Sequence, residues 1–240
     1  MSAPVPTFHL NFDEALRFIW RDPRWLAKLA LGALFSLLSV VVVGGVLTQG
    51  YLLIFAERVA RAEPQPLPEW EEFGEILRQG ISGFIITLVL SVPLLVLGFA
   101  ISLLYFPIVF AGASSGQGAT AAAAGGLLIV PLSLLFLPLA LLVGIVSPAA
   151  HAQLVLHDGD LAAAFRFREI FAFMSRQRGQ YALMLIISIA ANSLLSQIGY
   201  FACFIGAFVT IFVAQLFQYH LIGQLCWYDR TVLTVPRRGQ

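Results

Sequence analysis

The chain alternates between short charged blocks and long runs that carry no charge. The charged side chains fall in residues 13–28, 57–78, 158–178 and 229–238. The runs between them, 29–56, 79–157 and 179–228, are rich in Leu, Ile, Val, Phe and Ala. Charge-free apolar runs of about 18 residues or more read as membrane-spanning helices, because about 20 residues of helix cross the hydrocarbon core. The pattern therefore predicts an all-α, polytopic transmembrane helical bundle with about six membrane segments, forming a single integral membrane domain over 1–240. The expected segments are 26–43, 46–61, 81–106, 127–147, 181–195 and 199–226. Amphipathic helices lying in the interface are expected over about 8–21, 68–79 and 160–177.

Each boundary has a local reason. A single helix over 29–56 would be ~42 Å long, against a hydrocarbon core of ~30 Å. Arg17, Arg21, Arg24 and Lys28 precede this run, and Arg58, Arg61 and Arg78 follow it. Basic residues stay on the cytoplasmic side, so a hairpin turning at Gly44-Gly45 keeps both clusters there. One long tilted helix and a re-entrant second arm are the alternatives. In the first interfacial element Asn11 or Asp13 is placed to cap, and Asp22-Pro23 ends the helix. Pro64, Pro66 and Pro68 stiffen the next polar connection. Pro68 suits a first helical position, with Glu69, Glu71 and Glu72 facing the positive helix start. Trp70, Phe73, Ile76 and Leu77 then make an apolar stripe.

The Gly-, Ala- and Ser-rich stretch 111–126 reads as a loop between two spans. Pro93, Pro131 and Pro138 are expected to kink those spans without breaking them. Asp158-Gly159 is a turn signal, and Asp160 a candidate cap for the third interfacial helix. The polar dip at 192–199 reads as the last turn.

Charge fixes an expected orientation. All 14 Lys and Arg and all 13 Asp and Glu lie on one face of this scheme, and the turns on the other face carry none. Six spans with both termini cytoplasmic, in the cytoplasmic membrane, satisfy that pattern. The four tryptophans, Trp20, Trp25, Trp70 and Trp227, border the charged blocks as an interfacial belt requires. Composition agrees: 59% of residues are hydrophobic, only 11% are charged, and mean hydropathy is +0.87. A net charge of +1 gives no bulk attraction to nucleic acid. Residues 1–28 show no cleavable-signal pattern, so the first span is expected to act as an uncleaved insertion signal. Residues 12–18 and 161–167 echo one another, and each precedes a pair of spans containing Tyr-x-Leu-Ile, at 51–54 and 219–222.

Asn11-Phe12 with Ala15-Leu16, Asp22-Pro23 with Trp25, Gly50-Tyr51, Leu67-Pro68-Glu69-Trp70 followed by Gly80, and the closing residues 220–224 form a set. In these positions the chain resembles the bacterial and archaeal membrane protein family known as domain of unknown function 4013. The resemblance implies an integral membrane protein without an assigned activity, and it supplies no catalytic residues.

Reactive chemistry is sparse. The His157-Asp158-Gly159-Asp160 cluster is explained by a turn and a cap. His9, His151 and His220 have no His or carboxylate at i+3 or i+4. Cys203 and Cys226 sit in apolar sequence and read as small buried hydrophobes. The spans hold no central Asp, Glu, Lys or Arg, which ion-coupled transporters usually need. The last two spans hold Asn192, Ser193, Ser196, Gln197, Thr210, Gln215 and Gln218; of these Asn192, Ser193, Gln197, Thr210, Gln215 and Gln218 are a candidate intramembrane polar cluster. Trp20, Trp25, Pro68, Trp70 and Trp227 are candidate interfacial anchors or docking positions. No catalytic residue, metal or cofactor is expected. The leading expectation is a non-enzymatic structural or accessory protein that associates with the lipid bilayer, with itself or with other membrane proteins. A permease or channel-like protein for a neutral or lipid-like substrate is the alternative, and an intramembrane enzyme the third.

Overall fold

The computed structural model describes residues 9–40, 42–201 and 205–233. Among them the protein is all-α, with eight helices: α1 (Phe12–Arg21), α2 (Trp25–Leu37), α3 (Val42–Ala60), α4 (Phe73–Ser114), α5 (Gly118–Leu156), α6 (Phe167–Arg176), α7 (Arg178–Phe201) and α8 (Ile205–Tyr228). Five of them, α3, α4, α5, α7 and α8, are long and apolar enough to cross a membrane, whereas α2 is a shorter apolar helix. The chain forms two compact units, residues 1–86 with 148–240, and residues 87–147.

In the first unit α8 is the central helix. It packs against α7, α3, α2 and α1. Gly223 lets α8 approach α3 closely, because a Cβ there would meet the Ala56 carbonyl and Val59. α1 is amphipathic: the Asn11 side chain caps it by accepting from the Glu14 N–H at 3.0 Å, and Ala15, Phe18 and Ile19 are buried. At the end of α3 the N–H of Glu63 bonds the Arg58 carbonyl and that of Ala62 bonds the Val59 carbonyl. This double closure puts Ala62 at φ +56°, a position that glycine usually fills.

Several sequence boundaries are corrected. The α2–α3 pair turns at Leu38–Val40, a single 3₁₀ turn, and not at Gly44-Gly45. Gly44 lies inside α3, where a Cβ would overlap the Leu38 and Phe35 carbonyls, so this glycine serves close packing. The arms are thus 25–37 and 42–60, instead of 26–43 and 46–61. Pro68 does not start a helix. Residues 67–72 are non-helical, and the expected helix 68–79 and span 81–106 form one helix from Phe73. The third interfacial element divides into a 3₁₀ turn, Ala163–Phe165, and α6, and Asp160 accepts from the Ala162 N–H ahead of that turn. The polar dip at 192–199 is helical, since α7 runs on to Phe201. Cys203 and the final segment 234–240 lie outside the described residues, as does Phe8 at the expected start of the first helix.

The second unit, Thr87–Ser147, is a helical hairpin. The expected loop 111–126 shrinks to residues 115–117, with Gly116 at φ +74°, and its alanines extend α4 and α5. Alanine is the strongest helix former, so low hydropathy there does not mean a loop. Both helices continue through their prolines. Each arm of the hairpin is ~40–45 Å long. Most of its large side chains are exposed, among them Phe99, Phe106, Phe110, Leu127 and Leu134.

Candidate functional site

Three polar features stand out in the first unit. The first is a buried ionic knot. Asp22 closes α1, and its carboxylate accepts from the Arg24 N–H at 2.8 Å and from Lys28 Nζ at 2.6 Å. Lys28 also donates to the Leu67 carbonyl at 3.0 Å and lies 2.9 Å from Glu69 Oε1, which Arg24 reaches at 2.7 Å. Asp22 and Lys28 are only 5% and 4% exposed. Buried charges of this kind add little net stability over apolar packing, but they leave a heavy penalty if one partner is lost. The knot therefore dictates where the 67–70 strap must lie.

Trp70 completes the strap. Its indole N–H donates to the Lys28 carbonyl at 3.2 Å, and its ring stacks on Tyr51 with centroids 4.2 Å apart and leans on Phe35. Arg58 grips both carboxylate oxygens of Glu72. Glu69 and Glu72 therefore serve ion pairs, in place of the opening helical turn expected of them. Beside the strap α3 and α4 touch backbone to backbone at Gly50 and Gly80: a Cβ on the first would overlap the Ile76 carbonyl, and on the second the Val46 carbonyl.

The second feature is a buried neutral cluster. Gln49 on α3 donates to the Tyr219 hydroxyl on α8 and lies 3.1 Å from His151 Nε2 on α5. Tyr219 is 3.4 Å from His151 Nδ1, and the Gly83 carbonyl of α4 is 3.4 Å from His151 Nε2. Four helices meet at these side chains. In the sequence His151 shows no partner at i+3 or i+4; its partners lie far away in the chain, where no local spacing reveals them.

The third is a cavity of about 380 Å³ lined by α1, the end of α3, the proline segment and α8. Gln224 on α8 accepts from the Asn11 N–H at 2.8 Å and donates to the Asn11 carbonyl at 3.0 Å, which ties α8 to the start of α1. Another cavity, about 540 Å³, lies among His157, Arg168, Glu169, Arg176 and Arg230.

The residues singled out from sequence separate. Trp20 and Trp25 make an edge-to-face pair, centroids 4.5 Å apart, with Trp20 65% exposed. Trp227 borders the smaller cavity, and Pro68 is buried in the strap. Asn192, Ser193 and Gln197 are exposed on α7, whereas Thr210, Gln215 and Gln218 are half-buried on α8. No hydrogen bond joins these six to one another among the described residues; Asn192 accepts from Ser196, and Thr210 donates to the Ala207 carbonyl. The expected polar cluster is thus not assembled, and Gln49, His151 and Tyr219 form one in its stead. Cys226 is buried, its thiol 3.7 Å from the Ala152 carbonyl. Among the described residues no group of His, Cys, Asp and Glu is arranged to hold a metal ion. Asp158 instead receives Arg61 and Arg230.

An all-α chain with several membrane-length apolar helices, stitched by buried polar side chains at their charged ends, is a helical protein built for a bilayer. It belongs to the family described as "Protein of unknown function (DUF4013)", which matches it over residues 33–217. Gly50-Tyr51, the 67–70 strap and Gly80 lie inside that match, and the structure brings them into contact. Asp22 and Gln224 lie outside it. Comparison with curated proteins and with solved structures found no match.

Proposed function

We propose that the protein is a non-enzymatic accessory component of the bacterial cytoplasmic membrane, with both termini cytoplasmic, that associates with lipid, with itself or with another membrane protein. The observation that carries this reading is the hairpin of residues 87–147. It is free of charge, its side chains are exposed along both arms, and each arm is longer than the ~30 Å hydrocarbon core. Such a surface is stable only against lipid tails or an apolar partner. Most of the described charged residues are by contrast engaged in ion pairs, such as Lys28 with Asp22, Arg58 with Glu72 and Arg176 with Asp229.

Purified protein in proteoliposomes tests the reading directly. No saturable solute flux is expected, and the hairpin should crosslink to whatever accompanies the protein in native membranes. Reproducible saturable transport by the protein alone would overturn the accessory role. It would favour a permease for a neutral or lipid-like substrate, the reading that Gln49, His151 and Tyr219 support. Cysteines placed at Ser114 and Gln65 should label from opposite sides of the membrane, and labelling from one side would refute the orientation.

A further inference from the structure

The 380 Å³ cavity is lined by charged side chains of both signs and by a buried histidine. Glu63 lines it, with Glu14 and Arg21, which lie 3.3 Å apart as an ion pair, and Phe18 and Trp227 complete the wall. Glu63 is held only loosely, 3.9 Å from Arg58. His220 also lines the cavity, although it is just 4% exposed, and its ring stacks on Phe18 at 4.9 Å. The tautomer of His220 follows from its neighbours. The Asn11 N–H requires the Gln224 oxygen, so the Gln224 nitrogen faces the Asn11 carbonyl and also reaches His220 Nδ1 at 3.0 Å. An amide nitrogen can only donate, so Nδ1 accepts and the imidazole proton sits on Nε2. That N–H makes no hydrogen bond among the described residues, and His220 lines the cavity, which leaves the donor available to an acceptor there.

We propose that this cavity binds a small zwitterion that joins an ammonium group to an oxyanion, the chemistry of an ethanolamine phospholipid headgroup or of free phosphoethanolamine. The ammonium meets Glu63 and Glu14 beside the aromatic faces, where cations are favoured. The oxyanion accepts from His220 Nε2–H and from Arg21, as charge-assisted bonds. The volume falls within the usual range for small-ligand sites.

Full-length protein in detergent, titrated calorimetrically with phosphoethanolamine, with ethanolamine and with inorganic phosphate, tests the charge pairing. Nanodiscs of ethanolamine lipid mixed with phosphatidylglycerol, analysed for co-purifying lipid, test the membrane source. The expected result is saturable binding of phosphoethanolamine over either half alone, or selective retention of the ethanolamine lipid, and which of the two occurs identifies the source. Glu63→Gln, at a half-exposed position compatible with folding, should weaken that binding about tenfold, the scale of one charge-assisted contact. Glu75→Gln, outside the cavity, should leave it unchanged. Absence of both kinds of binding, equal losses in the two variants, or no loss in Glu63→Gln overturns the proposal. None of these outcomes depends on whether the protein transports a solute.

Discussion

One helix, α4, passes through two unlike regions. Between Phe73 and Ile86 it belongs to a unit where side chains interlock: Ile76 and Ile86 are fully buried, and Gly80 is pressed against the Val46 backbone. Beyond Thr87 the same helix exposes Leu95, Phe99 and Phe106, and a Cβ added at Gly98 would meet nothing within 4 Å. Charge marks only the first turns, Glu75 to Arg78; from Gln79 onward the helix is uncharged in both regions, and hydropathy there does not separate them because lipid tails and a protein core are equally apolar. What distinguishes them is the supply of small residues and of polar groups with fixed partners. The first region is specified by particular contacts, whereas the second needs only continuous helix and an apolar surface.

The largest expected effect lies in the ionic knot. Lys28→Ala leaves Asp22 buried without its cation and should cost about 3–5 kcal/mol. Thermal unfolding in nanodiscs would measure it. A loss below 1 kcal/mol would mean that the first region is not organised by its buried charges. Trp70→Ala should come next, at about 3 kcal/mol for the lost stacking on Tyr51 and the lost bond to Lys28. It should open residues 62–72 to limited proteolysis, while Leu103→Ala in the exposed hairpin changes neither readout.

Alanine at the two kinds of glycine sharpens the contrast further. Gly50→Ala should destabilise by about 1–3 kcal/mol through overlap with the Ile76 carbonyl. Gly98→Ala should be neutral or stabilising by up to about 1 kcal/mol, from helix propensity alone. Equal effects would erase the distinction between the regions. The smallest expected change is a gain of about 1 kcal/mol for Ala62→Gly, which removes the penalty of a left-handed alanine at the end of α3.

How legible this was in the sequence follows the same division. The charge-free runs and the block pattern of Arg and Glu announce an all-α membrane protein without any contact being known. Helix ends were harder wherever two rules competed. Pro68 is a good first helical residue, but Lys28 draws off the Leu67 carbonyl and Glu69, and helix begins only after Glu72. Gly44-Gly45 looks like a turn, yet its first glycine is needed where α3 passes the Leu38 carbonyl. Residues 111–126 look like a loop to a hydropathy measure, but they are alanine-rich and the helices keep them. The Gln49, His151 and Tyr219 contacts join positions 102 and 170 apart in the chain, and no local pattern encodes such a pairing.

The amide clasp between Gln224 and Asn11 joins positions 213 apart and sits on the helix that α1, α2, α3 and α7 all contact. During synthesis the early helices enter the membrane long before their central partner exists. Until α8 leaves the ribosome, the Asn11 backbone lacks Gln224, the inner faces of α1 and α2 are uncovered, and α3 has nothing to receive Gly223. Assembly of the first unit is therefore a closing event and not a stepwise addition, and its last helix to be made is the one that completes it.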